Sequence, residues 1–598
     1  MDHTIEKKQA IKGGEFLIKK TEAQEIFIPE EFGEEQMMMG TACEDFNRTE
    51  IQPNIEKIDS MEEGIMAGLL SKAGELGLLS ISVPEEYEGL GMSFNTSMLI
   101  AEKVGPTGSF STAFGAHTGI GTLPIQYYGT PEQKAKYLPK LASGEWKACY
   151  CLTEPDSGSD ANSGKTSAKL NEAGTHYLIN GQKMWISNAG FADVFIVFAK
   201  IGGDKNLTAF IVEKNFGGIT MNDEEKKMGI KGSSTRQVFF NDTPVPVENM
   251  LSERGNGFKI AVNILNIGRI KLGSSCVGGA KDVTSTAINY ANERKQFGQS
   301  ISNFGAIKHK LAEMAVKTYA SESAAYRASN DIEEKINSLI AEGMEKEQAN
   351  LKGLEEFAIE CAILKIHGSE VLDYVVDEGV QVYGGMGFSA EAPMERAYRD
   401  SRITRIYEGT NEINRMLIVG MILKRAMSGK LDLMTPAKAI AKELTSPASA
   451  PETNDQLFAE EKQIIQNLKK AIIMVAGKAA QDLGPALNNE QEILMNLADM
   501  VIELYVAESV LLRTEKLIQL RGESETRQQV NMMQVYLYEA ANKIHLAGKE
   551  ALVSFAKPAE IKGLLKGLTI FTRGQLINPK TLRREIADFM IEKNKYAF

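Results

Sequence analysis

A chain of 598 residues is well past the length at which one hydrophobic core stops growing, so roughly two to four domains and room for a buried site are expected. Its 43% hydrophobic and 24% charged residues describe an ordinary globular protein rather than a disordered or membrane-spanning one. A net charge of −12 with no Lys/Arg-rich block argues against nucleic acid as the main partner, and six His without an H-E-x-x-H pair leave metal hydrolysis and Ser-His-Asp catalysis without their parts.

The five cysteines, Cys43, Cys149, Cys151, Cys276 and Cys361, are odd in number and scattered, so neither a disulfide framework nor a metal site is expected. The N-terminal MDHTIEKKQA lacks the apolar core of a signal peptide, and no apolar run reaches the ~18 residues of a membrane span. A soluble, cytoplasmic protein is the expectation.

Residues 1–45 are polar and read as an N-terminal arm. Residues 46–148 carry apolar positions at helical spacing, broken at Pro84, Gly89 and Gly91, with Thr130 as an N-cap before Pro131. From 149 to 257 the period falls to two, in runs at 176–179, 194–199, 208–212 and 237–240, which predicts a middle β domain with a hairpin turn at Asn180-Gly181. Residues 258–428 return to long helical stretches joined by short links, as in an antiparallel bundle. Within them, the charged segment 331–352 reads as a solvated insertion or a helix extension. Thr, Pro, Ser and Ala then mark 429–455 as a linker, and 456–598 reads as a second all-α unit. The fold class is therefore mainly α with a middle β domain.

Five clusters carry candidate chemistry. In YCLTEPDSGSD at 150–160, small hydroxyl residues and Gly could bring backbone N–H groups to a ligand, or form a plain surface turn. KMWISN at 183–188 holds one of two tryptophans, able to cover a flat ring or to fill core. ANERKQFG at 291–298 offers Arg for phosphate and Phe for stacking, or a solvated helix end. QVYGGMGF at 381–388 opens a formal G-x-G-x-x-A match from Gly385 to Ala390, but Pro393 follows too soon for the long helix that a nicotinamide-binding fingerprint requires. In RITRIYEGTNEINR at 402–415, Glu408 follows two large apolar residues; loss of hydration would raise its pKa and make it a base, whereas an exposed loop Glu would do nothing.

In their joint order and spacing these clusters resemble the acyl-CoA dehydrogenase family over residues 50–425, together with LPKLASG at 138–144. The extra unit after Leu433, with MGIKG at 228–232 and ILNIGR at 264–269, looks most like the very-long-chain branch. The resemblance implies an N-terminal helical domain, a middle β-barrel or sandwich and a four-helix bundle, followed by a C-terminal helical domain. It implies FAD, lined by Tyr150, Leu152, Thr153, Gly158, Ser159, Trp185 and Ser187 with Thr410 and Glu412 nearby. Arg294, Gln296, Phe297, Gln381, Gly384 and Gly385 would hold its adenosine and pyrophosphate across a dimer interface. Ser159, Asn266, Arg269, Tyr407 and Gly409 would meet the acyl-CoA.

Glu408 is then the implied base for the α-proton, with its own amide in the oxyanion hole. Some relatives carry the base where this chain has Gly268, which cannot take a proton. Phe304-Gly305 departs from the family's Phe-Gln and puts one cofactor contact in doubt. The implied partners are a long-chain acyl-CoA, an electron-transferring flavoprotein and a second or further copies of this chain, with peripheral membrane contact through the C-terminal unit also open. No metal is expected. The competing readings are an acyl-CoA oxidase, told apart by oxygen consumption, and a non-catalytic assembly scaffold, told apart by absence of flavin.

Overall fold

The computed structural model describes residues 11–445 and 456–598. The N-terminal helical layer is built by Ile65–Glu75, Phe94–Val104, Ser109–Gly115 and Pro131–Ala142, with a wider π-helical stretch at Ala116–Gly121. Thr130 caps the last of these helices by accepting from the Gln133 N–H, and Pro131 occupies its first turn. His117, on the π-helical stretch, accepts from the Ala148 N–H at 3.1 Å and bonds the Leu141 carbonyl at 2.9 Å, which ties the helices to the first strand.

Eight strands follow: β1 (Ala148–Cys151), β2 (Ser167–Leu170), β3 (His176–Ser187), β4 (Val194–Ile201), β5 (Thr208–Glu213), β6 (Ile219–Met221), β7 (Thr235–Pro246) and β8 (Met250–Leu251). They pair in the order β6-β7-β3-β2-β4-β5-β8, with β1 added parallel to β4. β4 is buried on both faces, so its apolar run is continuous: Val194, Ile196 and Phe198 join the main core, while Phe195 and Val197 fill the interior of the β domain. The Asn180-Gly181 pair is not a hairpin turn. β3 runs straight through it, and the register slips by one residue between Ile179 and Gly181 against β7. Gly181 sits at φ +154° where a Cβ would meet the Thr166 side chain at 2.5 Å, so a bulge pressed against β2 accounts for the pair. The β2–β3 turn lies earlier, at Asn171 to Thr175, where the Asn171 side chain accepts from the Thr175 N–H.

Four helices form the bundle: Gly257–Glu293, Gly305–Ala341, Ala358–Tyr383 and Asn411–Met427. Residues 331–352 prove to be a helix extension. Ile332, Ile336 and Leu339 are buried, and a further helix, Lys346–Glu356, folds back with Gly353 against Ile336. The reading of 429–455 as linker misses the helix Met434–Thr445, whose Ile440 is buried; residues 446–455 lie outside the described residues.

The C-terminal unit comprises Ala459–Leu483, Gln491–Arg521, Arg527–Phe555, Ile561–Phe571 and Pro579–Lys593. It packs onto the Gly305–Ala341 helix through Gln491–Arg521 and Pro579–Lys593. Within residues 1–45, Glu34–Phe46 is helical, and the segment before it is held: Ala23, Ile26 and Ile28 are buried with Leu512 and Leu517 of the C-terminal unit. Among the described residues no helix is long and apolar enough to cross a membrane, and no cluster of His, Cys, Asp or Glu could hold a metal ion.

Candidate active site

Glu408 follows a 3₁₀ turn, Arg402–Arg405, and precedes Thr410, which caps Asn411–Met427 by accepting from the Ile413 N–H at 3.2 Å. Its backbone is left-handed, with φ +58°, a conformation that costs a non-glycine residue about 1 kcal/mol. Neighbouring groups hold it there. Arg269 Nε donates to the Glu408 carbonyl at 3.2 Å, and Asn414 Nδ2 donates to the Gly409 and Thr410 carbonyls at 2.7 and 3.1 Å. Such imposed strain is characteristic of functional positions.

The Glu408 side chain crosses to the Gly257–Glu293 helix and lies against Gly268. A Cβ on Gly268 would sit 2.7 Å from Glu408 Oε2, so only glycine leaves room for the carboxylate. Oε2 is buried and makes no hydrogen bond, and no acceptor meets the Glu408 N–H among the described residues. Burial pushes the carboxyl up to about 7, against the opposing pull of Arg269 and Lys365. Arg269 also donates to Asn266 Oδ1 at 2.8 Å; Lys365 donates to Asn411 Oδ1 at 2.6 Å, and burial draws its ammonium down to about 8.

Glu408 lines a cavity of about 160 Å³ between the Gly257–Glu293 helix and the Ser109–Gly121 region, whose other walls are mainly apolar side chains such as Leu79, Ile100 and Leu123. A second cavity of about 140 Å³ shares Ser111, Leu272, Ser275 and Tyr407 with the first. The Glu408 carboxylate therefore faces a mainly apolar space, and the adjoining second cavity is more polar, with Asp59, Asp282, Arg396 and Asp400 in its wall.

On the β side, Tyr150 in β1 and Leu152 just after it are buried, and the Tyr150 hydroxyl is buried without a partner. Burial and the Glu408 charge push that hydroxyl well above its usual value. Thr153 accepts from the Met184 N–H at 2.9 Å, which joins this loop to β3 beside Trp185. Trp185 is 54% exposed at φ +61°, next to a register shift between Lys183 and Ile186, so the bulge turns its indole out of the sheet. Ser187 lines the Glu408 cavity; Gly158 and Ser159 are exposed on the loop, and Glu412 stands in the first turn after Thr410.

Arg294, Gln296, Phe297, Gln381, Gly384 and Gly385 form a separate group at one end of the bundle, all exposed. The stacked pair Tyr290–Tyr383, with centroids 3.9 Å apart, brings the two segments together. Phe297 is 93% and Phe388 87% exposed.

Three contributors were not singled out from the sequence. The Glu154–Lys183 ion pair, 2.7 Å long and fully buried, pins the 150–160 loop to β3 and explains why these two clusters occur together. Lys365 opposes the effect of burial on the Glu408 carboxyl, and Lys271 lines the cavity that Glu408 faces. The only sequence signal for either was a lysine on the apolar part of a helical pattern.

The fold and the site define an enzyme built around one enclosed carboxylate. Models of the acyl-CoA dehydrogenase N-terminal, middle and C-terminal domains match residues 33–145, 149–243 and 255–423, and a further acyl-CoA dehydrogenase C-terminal domain matches 467–569. The chain is 46% identical over 588 residues to a probable acyl-CoA dehydrogenase of Bacillus subtilis (strain 168), covering 98% of each chain. It is 37% identical over 534 residues to the mitochondrial very long-chain specific acyl-CoA dehydrogenase of Rattus norvegicus, covering 85% of this chain and 78% of that one. The crystal structure of an acyl-CoA dehydrogenase complexed with FAD from Bacillus anthracis matches with a TM-score of 0.96 at 48% identity, over 98% of this chain and 100% of the other. This chain belongs to the acyl-CoA dehydrogenase family, whose members are flavin-dependent oxidoreductases.

Proposed function

We propose that the chain binds FAD and introduces a trans-2 double bond into long-chain acyl-CoA, the first step of fatty acid β-oxidation, with Glu408 as the base. The observation that carries this reading is the Glu408 carboxylate, its Oε2 unpaired and its carboxyl raised to about 7, in the wall of a mainly apolar cavity. The family resemblance supports FAD, and the local chemistry fits it. The out-turned Trp185 indole offers a flat face beside Thr153, and the buried Tyr150 hydroxyl and the Ser187 side chain supply polar groups close to Glu408.

FAD, when bound, supplies the acceptor for the β-hydrogen, which leaves as hydride. The chain's own residues do the rest. Glu408 takes the α-proton, and its ionised form is available because Arg269 and Lys365 oppose the effect of burial. The unbonded Glu408 N–H is free to donate to the thioester oxygen as negative charge develops there. The left-handed backbone, fixed by Arg269 and Asn414, sets carboxylate and amide on one short turn, so both can address the same substrate. The apolar walls of the first cavity shield the pair from water and suit a hydrocarbon chain.

The exposed Phe297 and Phe388 side chains form an apolar end that suits a second copy of this chain, in keeping with cofactor contacts shared across a dimer. An electron-transferring flavoprotein is the proposed acceptor; substrate-dependent oxygen uptake at the full turnover rate would point instead to an oxidase. The decisive experiment is an anaerobic titration with palmitoyl-CoA, following flavin absorbance, for wild type and Glu408→Gln. Bleaching of the wild type alone, with the variant still yellow, is expected. Equal bleaching of both would remove Glu408 as the base.

A further inference from the structure

The acyl cavity contains a charge that the proposed reaction does not use. Lys271 lines it, three residues after Gly268 on the same helix face and therefore about 4.5 Å further along the axis from the position where Glu408 meets the helix. Lys271 makes no salt bridge or hydrogen bond among the described residues, and burial alone draws its ammonium down to about 8. Lys271 is half-buried, and a hydrocarbon chain lying past its unpaired ammonium would strip its remaining water without offering a partner. Lys271 is not among the charges acting on Glu408, so it does not serve to tune the base. Further along the same face, Ser275 shares a hydrogen bond of 3.0 Å with Ser111, and both hydroxyls line the cavity. One ammonium followed by two hydroxyls, in an otherwise apolar channel, is a set of donors suited to a carboxylate.

We propose that this cavity accepts acyl-CoA esters of dicarboxylic acids, with the free carboxylate bound at Lys271 beside Ser275 and Ser111. This rests on the reading of the cavity as the acyl site. The thioester end sits at Glu408, the methylenes fill the apolar wall, and the distal carboxylate replaces the water that the ammonium lacks. Chain length then matters. A diacid long enough to reach Lys271 gains the ion pair, whereas a shorter one leaves both charges unmatched.

The test uses the holoenzyme and measures kcat/KM for adipoyl-, suberoyl-, sebacoyl- and dodecanedioyl-CoA, each against the monocarboxylic ester of the same length, in wild type and Lys271→Met. At the favoured length, removing the cation is expected to lower the diacid-to-monoacid ratio at least ~10-fold, the scale of losing one partner of a desolvated charge pair. The monocarboxylic rate should rise, because the chain no longer displaces water from an amine. Lys271→Arg should keep the diacid preference, and Lys271→Gln provides the same comparison if the methionine variant does not fold. A ratio unchanged by loss of the charge, or no turnover of any diacid ester, overturns the proposal. Palmitoyl-CoA separates the two readings: if it still bleaches the wild-type flavin, the base assignment survives the failure of this one, and if it does not, both fall.

Discussion

The Glu408 carboxyl sits at a balance of two opposed effects. Burial raises its carboxyl, and two cations, Arg269 and Lys365, hold it to about 7 rather than higher. Only the ionised form can take a proton, so kcat/KM for a long-chain substrate should rise with pH through that region, falling to about a tenth of its plateau one pH unit below the midpoint. Lys365→Met removes a charge that favours the carboxylate; the ascending limb should therefore move to higher pH, with the alkaline plateau less affected than the rate at pH 6. A pH profile of the reductive half-reaction checks this, and a limb that stays in place would show that Lys365 only supports Asn411. At this scale the sequence was legible where a residue sits in a dense motif: Tyr407, Glu408 and Gly409 lie together in the structure, with Arg269 against them. Lys271 and Lys365 were not legible. A single lysine in a helical pattern reads as a surface charge, and both are enclosed by segments distant in sequence.

Helix Gly257–Glu293 shows how an element can give up stability for a site. Gly268 lies in its interior, where alanine would be worth roughly 1 kcal/mol in helix stability. Yet an alanine Cβ would sit 2.7 Å from Glu408 Oε2 and 2.9 Å from its Cδ, so the carboxylate must swing away. Gly268→Ala should leave melting temperature unchanged or raised while slowing flavin reduction by ~100-fold, the scale expected for a displacement of about 1 Å. Thermal melting measured beside rapid-reaction reduction separates the two effects; a proportionate loss of both would mean that the helix itself is damaged. The long helices of the bundle were legible by their length and apolar content, although Ala358–Tyr383 is buried on every face from Ala358 to Ser369 rather than along one stripe. Sequence pattern failed at Asn180-Gly181, since a bulge and a hairpin ask for the same residues and only the partner strands distinguish them. It failed again at Met434–Thr445, where Thr and Pro suggested a linker but Ile440 is buried.

At the scale of the whole molecule, buried ion pairs make the C-terminal unit part of the enzyme rather than an appendage. Arg513, 1% exposed, donates to Glu322 of the bundle at 2.9 Å and to Glu30 of the N-terminal arm at 2.7 Å, with its guanidinium over the Tyr319 ring. Arg327 of the bundle pairs with Glu508 of the C-terminal unit at 2.9 Å, and Glu322 also meets Lys281, which reaches Glu102 in the N-terminal layer. Residues 1–45 looked like a free arm because the partners of Glu30, Ile26 and Ile28 lie almost 500 residues away, beyond any local pattern. Cutting the C-terminal unit away would take Arg513 from Glu322 and Glu508 from Arg327, so a membrane-binding test by deletion would measure misfolding; substitution of exposed residues such as Leu546 and Leu576 is the sounder route. Arg513→Met should destabilise by ~3–5 kcal/mol, the usual result of breaking a buried pair, and a Glu322→Gln/Arg513→Met double variant should lose less than the sum of its singles. The acid dependence has a definite sign. Burial alone would raise Glu322, but Arg513 and Lys281 hold it at about 2. Its stabilisation is therefore complete above the ordinary glutamate range and is lost as pH falls from about 4.5 towards 2. The gap in melting temperature between wild type and Arg513→Met should be wide at pH 7 and narrow as the buffer is taken into that window; a gap that stays constant would mean that Arg513 acts through its packing on Tyr319 rather than through its charge.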